Sequence, residues 1–372
     1  MYLKGKAILV ISPQEWSDFY ISKHNYSIEL SKLGNDVYFL CPPKKGNSWK
    51  GRVTETEFSN LKIIRYNTFF PSKIRFHLKA TYKGLIRLQW RIIERLLPKS
   101  IDVVWCFEPN VFPDLSIFSA KLKIYHPVDF LTNENQIKLG ENADIIFSVA
   151  DNILQLFKNI RTPQYFINHG LSRYYSDSKI EYNRSNKDHI SFAYIGSLFI
   201  PGLDREALTK VIDSHPHIQF DFYGRYQNSS HNSKEIEAFI QFLTQAKNTR
   251  LHGVLHPKEL NERLKKYDGF ILCYNPSKEL NSGSNSHKIL EYLSLGKVIV
   301  SSKLSAYEKY KNEILMSMRF DNADYHEIFD NAVKNIAALN TQLLFNERRK
   351  IALENTYKAQ IVKIDNILKE CV

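Results

Sequence analysis

Short runs of β-branched and aromatic residues alternate with amphipathic stretches through the first half of the chain, the arrangement of a parallel sheet wrapped by helices. Strands are predicted at residues 6–12, 36–40, 61–66, 102–106, 122–126, 144–148 and 164–168. Between the first two, residues 21–33 carry helical periodicity and stop at Gly34, a residue suited to the left-handed C-cap. From 172 to 187 the sequence turns polar and poor in strand formers. At His189 the alternation restarts, with strands predicted at 189–196, 218–223, 249–251, 269–274 and 298–301, and with helical stretches from Tyr325 onward. The pattern implies two Rossmann-like α/β domains with a cleft between them: 1–171, a linker at 172–188, a second domain at 189–355 and a closing helix at 356–372. Neither half contains a GxGxxG or a GxxxxGK[ST] loop, which disfavours an ordinary dehydrogenase or P-loop enzyme.

Bulk properties narrow the class. At 372 residues the chain is long for one core and suits two domains, and 43% hydrophobic with 24% charged residues is the composition of a globular protein. The apolar run 7–11 is shorter than a signal-peptide core, and nowhere do about 20 apolar residues follow one another as a membrane-spanning helix requires. Cys41, Cys106, Cys273 and Cys371 lack CxxC or CxxH spacing, which points to reduced thiols in a cytosol and no metal site. The formal charge of +12 fits nucleic acid, an anionic membrane surface or phosphate-bearing substrates. The absence of any helix-turn-helix, zinc-finger, RNP-type or KH-type motif makes nucleic acid the least supported of these.

The most informative segment is NSGSNSHKILEYLSLGKVIVSS, residues 281–302. Small polar residues through Ser286 lead into a helix predicted from about His287 to Leu295; Gly296 ends it and a buried strand follows. A helix that begins after such a loop offers backbone N–H groups and the positive end of its dipole to an anion. Lys288 sits in the first turn, and Glu291, three residues on, lies on the same face. As a pair, Lys288 and Glu291 read either as a solvent-exposed i,i+3 ion pair or as ligands of a diphosphate and a ribose diol.

KILEYLSLGKVIVS resembles the nucleotide-binding segment of GT-B glycosyltransferases, whose pattern runs Lys-x-x-Glu-Tyr-Leu-Ala-x-Gly-x-Pro-Val-Val. In those enzymes the matching Lys contacts the diphosphate and the matching Glu the ribose. The resemblance continues through Gly196 and Ser197 in YIGSL, Gly224 and Arg225 in DFYGR, the 252–269 stretch HGVLHPKELNERLKKYDG and the strand ending at Tyr274. In the first half it rests on ADIIFS at 143–148 and NHGLSRYY at 168–175. It implies an α/β GT-B fold with two Rossmann-like domains facing a central cleft, the closing helix packing back toward the first domain. The implied donor contacts are Gly196, Ser197, Gly224, Arg225, Tyr274, Ser286, His287, Lys288 and Glu291.

The sequence departs from the family in three places. Gly283 stands where the Glu-x7-Glu motif of many retaining members has its first Glu, the Arg and Lys after the first glycine turn are missing from 197–203, and residues 13–18 replace the Gly-Gly acceptor loop. Arg205 or Lys288 is expected to take over part of that cationic role. The departures favour the Lys-x-x-Glu form found in group 1, teichuronic-acid-type transferases of bacterial polysaccharide synthesis. That family implies transfer from a UDP- or GDP-type sugar to a glycan or lipid-linked acceptor, in the cytoplasm or at the inner face of the membrane. The alternatives are a nucleotide-sugar epimerase of the same fold and a non-catalytic nucleotide-sugar-binding protein.

For the catalytic base the segment YHPVDF at 125–130 ends a predicted strand, where ligands of open α/β sheets bind. Asp129 is expected as base, with His126 as a donor-sugar or acceptor contact; the other reading makes Asp129 the N-cap of a helix at 131–139 and His126 a turn residue. Lys23 and His24 either line the acceptor side or form a wet helix face, and His169 reads either as an interdomain turn residue or as one that approaches the cleft. No metal-ligand spacing and no Asp-x-Asp motif occur, so a metal-independent reaction without cofactor is expected. Residues 73–99 carry eight Lys or Arg and one acid, with apolar side chains interleaved. Such a stretch either lies on an anionic membrane or packs its apolar side on the sheet.

Overall fold

The computed structural model describes residues 1–44, 51–130, 134–182, 190–227, 233–278 and 285–371. It contains two compact units, Met1–Gly170 with Tyr357–Val372, and Leu171–Thr356.

The first unit is built on β1 (Ala7–Ile11), β2 (Asp36–Leu40), β3 (Arg52–Glu55), β4 (Leu61–Arg65), β5 (Val103–Cys106), β6 (Leu122–Tyr125), β7 (Ile145–Ser148) and β8 (Gln164–Phe166). Their order in the sheet is β3-β4-β2-β1-β5-β6-β7-β8, and every pairing is parallel except the edge pair β3/β4. A parallel sheet covered on both faces needs strands apolar on both sides. β1 meets that need, since Leu9 and Ile11 enter one core while Ile8 and Val10 enter the other. Lys79–Glu94 lays Tyr82, Ile86, Trp90 and Ile93 into the first of these cores. Helix Ser22–Lys32 and the closing helix Tyr357–Cys371 serve the second, the latter through Tyr357, Ile361, Ile364 and Leu368. The closing helix is tied to the start of the chain by the Leu3 N–H, which donates to Asp365 Oδ1 at 2.8 Å.

Apolar packing on the sheet, one of the two readings of 73–99, is seen here, and the expected start of the linker changes. The apolar stripe of 73–99 is largely used inside the unit, leaving Phe76, Leu78, Leu88 and Leu96 exposed. Lys79 is paired with Glu134 at 3.1 Å and Lys83 with Asp114. The polar segment expected as linker does not begin at 172: Arg173–Ser176 is a helical turn whose Tyr175 is buried in the second unit's core. Residues 183–188 of that expected linker lie outside the described residues.

The second unit orders its strands β11 (Thr249–Gly253), β10 (Gln219–Tyr223), β9 (Ser191–Ile195), β12 (Gly269–Leu272), β13 (Val298–Ser301) and β14 (Leu315–Met316), all parallel. In chain order this is 3-2-1-4-5-6, the doubly wound arrangement whose switch point falls between β9 and β12. Cys41, Cys106 and Cys273 are buried and free, and Cys371 is exposed. Among the described residues no helix is long and apolar enough to cross a membrane.

Candidate functional site

Ligands of doubly wound sheets bind beyond the carboxyl ends of the strands at the switch point. In the second unit that place is formed by the turns after β9, β10 and β12 and by the helix His287–Leu295. Gly196 and Gly224 follow β9 and β10 with φ of +152° and +148°. A Cβ on Gly224 would lie 2.0 Å from the Gly196 carbonyl oxygen, so the two turns meet main chain to main chain and only glycine fits. Hydrogen bonds from Gly196 N–H to the Tyr223 carbonyl (2.8 Å) and from Leu198 N–H to the Arg225 carbonyl (2.9 Å) lock the pair. The exposed Arg225 thus enters the site through its main chain, and Ser197 Oγ accepts from Phe199 N–H at 3.2 Å.

The helix starts at the N-cap Ser286 and ends at Gly296, φ +71°, where the Phe345 ring occupies the space a Cβ would need. Ile289, Leu290 and Leu293 bury one side. Tyr292 does more, and sequence reasoning assigned it no role. Its hydroxyl accepts from Ile195 N–H at 2.9 Å, and its ring stacks on Phe270 with centroids 4.6 Å apart. The helix is therefore fixed to the last residue of β9 and to β12. Ser286 is buried, its carbonyl accepting from the Tyr307 hydroxyl at 3.3 Å, while His287 is exposed.

Lys288 is half-buried and runs across the first glycine turn, its Cε 2.9 Å from where a Cβ on Gly196 would be. Its ammonium lies 5.9 Å from the ring centroid of Tyr274, which is itself held by Asn322 Nδ2 donating to its carbonyl at 2.8 Å. Glu291 is half-buried one turn deeper. Burial pushes its carboxyl up to about 7, against the nearby Lys288 charge and a hydrogen bond from the Tyr175 hydroxyl, both of which pull it down. An exposed i,i+3 pair would not be perturbed in this way. The arrangement gathers a cation, a carboxylate, glycine main chain and a helix N-terminus at one switch point. Residues 279–284, which carry most of the preceding loop and Gly283, lie outside the described residues.

Arg205 does not take the cationic role expected of it. Its guanidinium is buried and donates to the carbonyls of Leu198 and Ile200, each at 2.8 Å, and of Leu203 at 3.2 Å. It shapes the turn from behind.

In the first unit, the switch point of the sheet order falls between β1 and β5, one strand away from the β6 end that carries YHPVDF. His126 is fully buried between Trp105, Phe107 and Tyr26, and accepts from Trp105 Nε1 at 3.2 Å on its Nδ1. Burial lowers its pKa to about 3. The expected contact with sugar or acceptor is corrected accordingly, because the ring is a neutral member of an aromatic box. Asp129 is exposed, and its charge acts on the buried ammonium of Lys23. The next helix is described from Glu134 to Glu141, and residues 131–133, where the helix it was expected to cap would begin, lie outside the described residues. Lys23 and His24 are not a wet face: His24 is buried, stacked on Phe39 at 5.0 Å, with Nε2 3.0 Å from the Glu15 carbonyl and burial lowering its pKa to about 4.

No protein-family model matches the sequence, and no curated protein matches it. Solved structures do match over nearly the whole length. The E. coli trehalose-6-phosphate protein bound with UDP-2-fluoro glucose aligns at TM-score 0.69 and 12% identity, covering 97% of this chain and 98% of that one. Sucrose-phosphate synthase from Thermosynechococcus elongatus aligns at TM-score 0.70 and 11% identity, covering 98% of each. The fold is GT-B. HepE from Anabaena, solved in complex with UDP and glucose, aligns at TM-score 0.66 and 11% identity, covering 98% of this chain and 99% of that one. In GT-B terms the second unit is the C-terminal Rossmann-like domain, the half in which the resemblance placed the donor contacts.

Proposed function

We propose that this chain is a nucleotide-sugar-dependent glycosyltransferase whose donor is held by the second unit. The observation that carries this reading is the pairing of Lys288 with Glu291 beside Gly196 at the β9/β12 switch point. It is supported by a GT-B neighbour bound with UDP-2-fluoro glucose and another in complex with UDP and glucose. Lys288 and the helix N-terminus meet the diphosphate, so the charge that a divalent ion neutralises elsewhere is met here by protein groups, and we propose that the transfer needs neither metal nor cofactor. Glu291 in its ionised form accepts the ribose hydroxyls, and Gly196, Ser197 and Gly224 let main chain approach the ligand. Asp129 is proposed as the base that takes the proton of the acceptor hydroxyl.

The finer reading places the enzyme in the cytoplasm, acting on a glycan or lipid-linked acceptor in cell-surface polysaccharide synthesis. It rests on the Lys-x-x-Glu form of the donor segment. Contact with an anionic membrane through 73–99 would use Arg87, Arg91 and Arg95 with the exposed Leu88 and Leu96.

The test is a thermal-shift screen of the wild type and Lys288→Ala against UDP, GDP, CDP and TDP, followed by incubation with the matching nucleotide sugars. One nucleotide should protect the wild type by about 2.7 kcal/mol at a hundredfold excess over Kd, and protect the variant far less. Slow release of free sugar without acceptor fits a transferase. An epimerised donor would replace this reading with the epimerase, and no shift with any nucleotide would remove it.

A further inference from the structure

Away from the donor site, the second unit brings three ligand-type side chains together. His326 and Asp330 lie one turn apart on the helix Tyr325–Lys334, and His215 is the C-cap of the helix Arg205–Ser214. One ligand atom from each lies within 4.8 Å of the others. His215 Nε2 is 2.9 Å from Asp330 Oδ1, and His326 Nδ1 is 3.7 Å from Asp330 Oδ2.

The remaining ring nitrogens fix which way the lone pairs point. His215 Nδ1 is 2.8 Å from the Val211 carbonyl, toward which it can only donate. Ser214 Oγ donates its single proton to the Lys210 carbonyl at 2.6 Å, and so accepts at 2.7 Å from His326 Nε2. Both imidazoles thus turn an unprotonated nitrogen toward the same carboxylate. A lone pair and a carboxylate oxygen 2.9 Å apart repel unless a cation joins them, either a proton or a metal ion. The hydrogen bonds behind the two rings are the outer contacts that orient metal-bound histidines. Adjacent ligands of a tetrahedral zinc-type ion are about 3.3 Å apart, given metal–nitrogen and metal–oxygen bonds of about 2.0–2.1 Å. The two His–Asp spacings, 2.9 and 3.7 Å, lie on either side of that value, and the two ring nitrogens lie within 4.8 Å of each other. The His215 ring is buried, seated edge-on against Phe329 at 4.9 Å, so one ligand is held in place before any ion arrives.

We propose that His215 Nε2, His326 Nδ1 and the Asp330 carboxylate bind one divalent transition-metal ion of the zinc type, with water completing the shell. Two imidazoles and a carboxylate suit zinc or cobalt better than magnesium or calcium. The site is structural. The helix Arg205–Ser214 starts at Asp204, whose carboxylate accepts from Asn322, the residue that holds the Tyr274 carbonyl, and His215 lies at its other end. That places the ion about 15 Å along the helix from the donor residues, where it fastens the helices Arg205–Ser214 and Tyr325–Lys334 to each other. The proposal is independent of the donor assignment.

The experiment uses tag-free, chelator-treated full-length protein. Zinc affinity is measured by competition with a chromophoric chelator, cobalt binding by its visible absorption, and stability by thermal melting with and without zinc. The variants are His326→Ala and Asp330→Asn, with His77→Ala in the first unit as control. One equivalent of zinc should bind the wild type and the control with Kd below about 10 µM, giving a tetrahedral cobalt spectrum and a raised Tm. Both site variants should bind at least tenfold more weakly and lose the Tm shift. Wild-type protein without a stoichiometric zinc equivalent or cobalt band means that a proton bridges His215 and Asp330, and overturns the proposal even if a variant fails to fold. Affinity unchanged in the two variants overturns it as well.

Discussion

Replacing Glu291 with glutamine should make the ligand-free protein more stable while weakening its hold on nucleotide. The carboxyl is lifted from 4.5 to about 7 chiefly by burial, so between those values the folded state keeps a proton that the unfolded chain releases. Stability contributed at this position is therefore intact near pH 4.5, declines as pH rises through the window, and is fully lost above pH 7. At ~1.4 kcal/mol per pKa unit the ceiling is about 3 kcal/mol, and partial solvent access lowers the expected value to about 2 kcal/mol. Glutamine has the shape and neutrality of the protonated acid and still accepts from the Tyr175 hydroxyl. Wild type and Glu291→Gln should melt together near pH 5 and diverge by about 4–8 °C at pH 8, the variant being higher. Calorimetric melts at four pH values between 5 and 8, with nucleotide titrations at pH 8, give both halves of the comparison. Melting curves that stay parallel across the range would refute the reasoning, since the charge at Glu291 would then cost the fold nothing.

Lys288→Ala should weaken nucleotide binding by about 1.5–3 kcal/mol in isothermal titration with little change in Tm; equal affinities would detach the ammonium from the diphosphate. Gly224→Ala should destabilise by about 2–4 kcal/mol, because its Cβ collides with the Gly196 carbonyl at a positive φ. By contrast Gly84→Ala, in an exposed helix turn with nothing within 4 Å, should stabilise by about 0.5–1 kcal/mol; denaturant melts that rank the two alike would contradict the packing. Asp129→Asn should cut turnover by about 10² to 10⁴ at unchanged nucleotide affinity and Tm, and a variant with normal kcat would exclude Asp129 as base. Changing Arg87, Arg91 and Arg95 to Glu should reduce sedimentation with anionic vesicles at low salt, each charge counting for about 1 kcal/mol; equal partitioning of both proteins would end the membrane reading.

Strands buried on both faces were legible because they leave unbroken apolar runs, as in AILVI of β1 and VIVS of β13. β3 was missed: RVTE is a polar edge strand with Arg52 and Glu55 exposed, and its pairing with β4 is set by sheet position rather than by its own pattern. β14, two residues long, carries no periodicity at all. At the site, Lys288, Glu291 and the glycines could be named on the resemblance of their segments to GT-B transferases, since spacing alone also reads Lys288 and Glu291 as an exposed ion pair. Tyr175 beside Glu291 could not, since 116 positions separate the two and only the fold joins them. The burial of His126 is hidden from the sequence for a related reason. A histidine at a strand end looks available until Tyr26, Trp105 and Phe107 from other elements enclose it. The His215, His326 and Asp330 group shows the same limit, for only its i,i+4 half can be read along the chain.

Placing the closing helix in the first unit has a consequence for biosynthesis. Ribosomes deliver domains in order at roughly 5–20 residues per second, and an N-terminal domain ordinarily folds before the next one is made. Here Ile8 and Val10 share a core with Ile361, Ile364 and Leu368, and Leu3 bonds to Asp365. The segment Leu171–Thr356 is continuous and can close as soon as it emerges. The unit begun first must wait, with one face of its sheet partly uncovered, until residues up to Cys371 have left the ribosome. Folding order then runs opposite to synthesis order, and a chain stalled near Thr356 would carry a finished second unit together with an apolar surface that chaperones and proteases recognise.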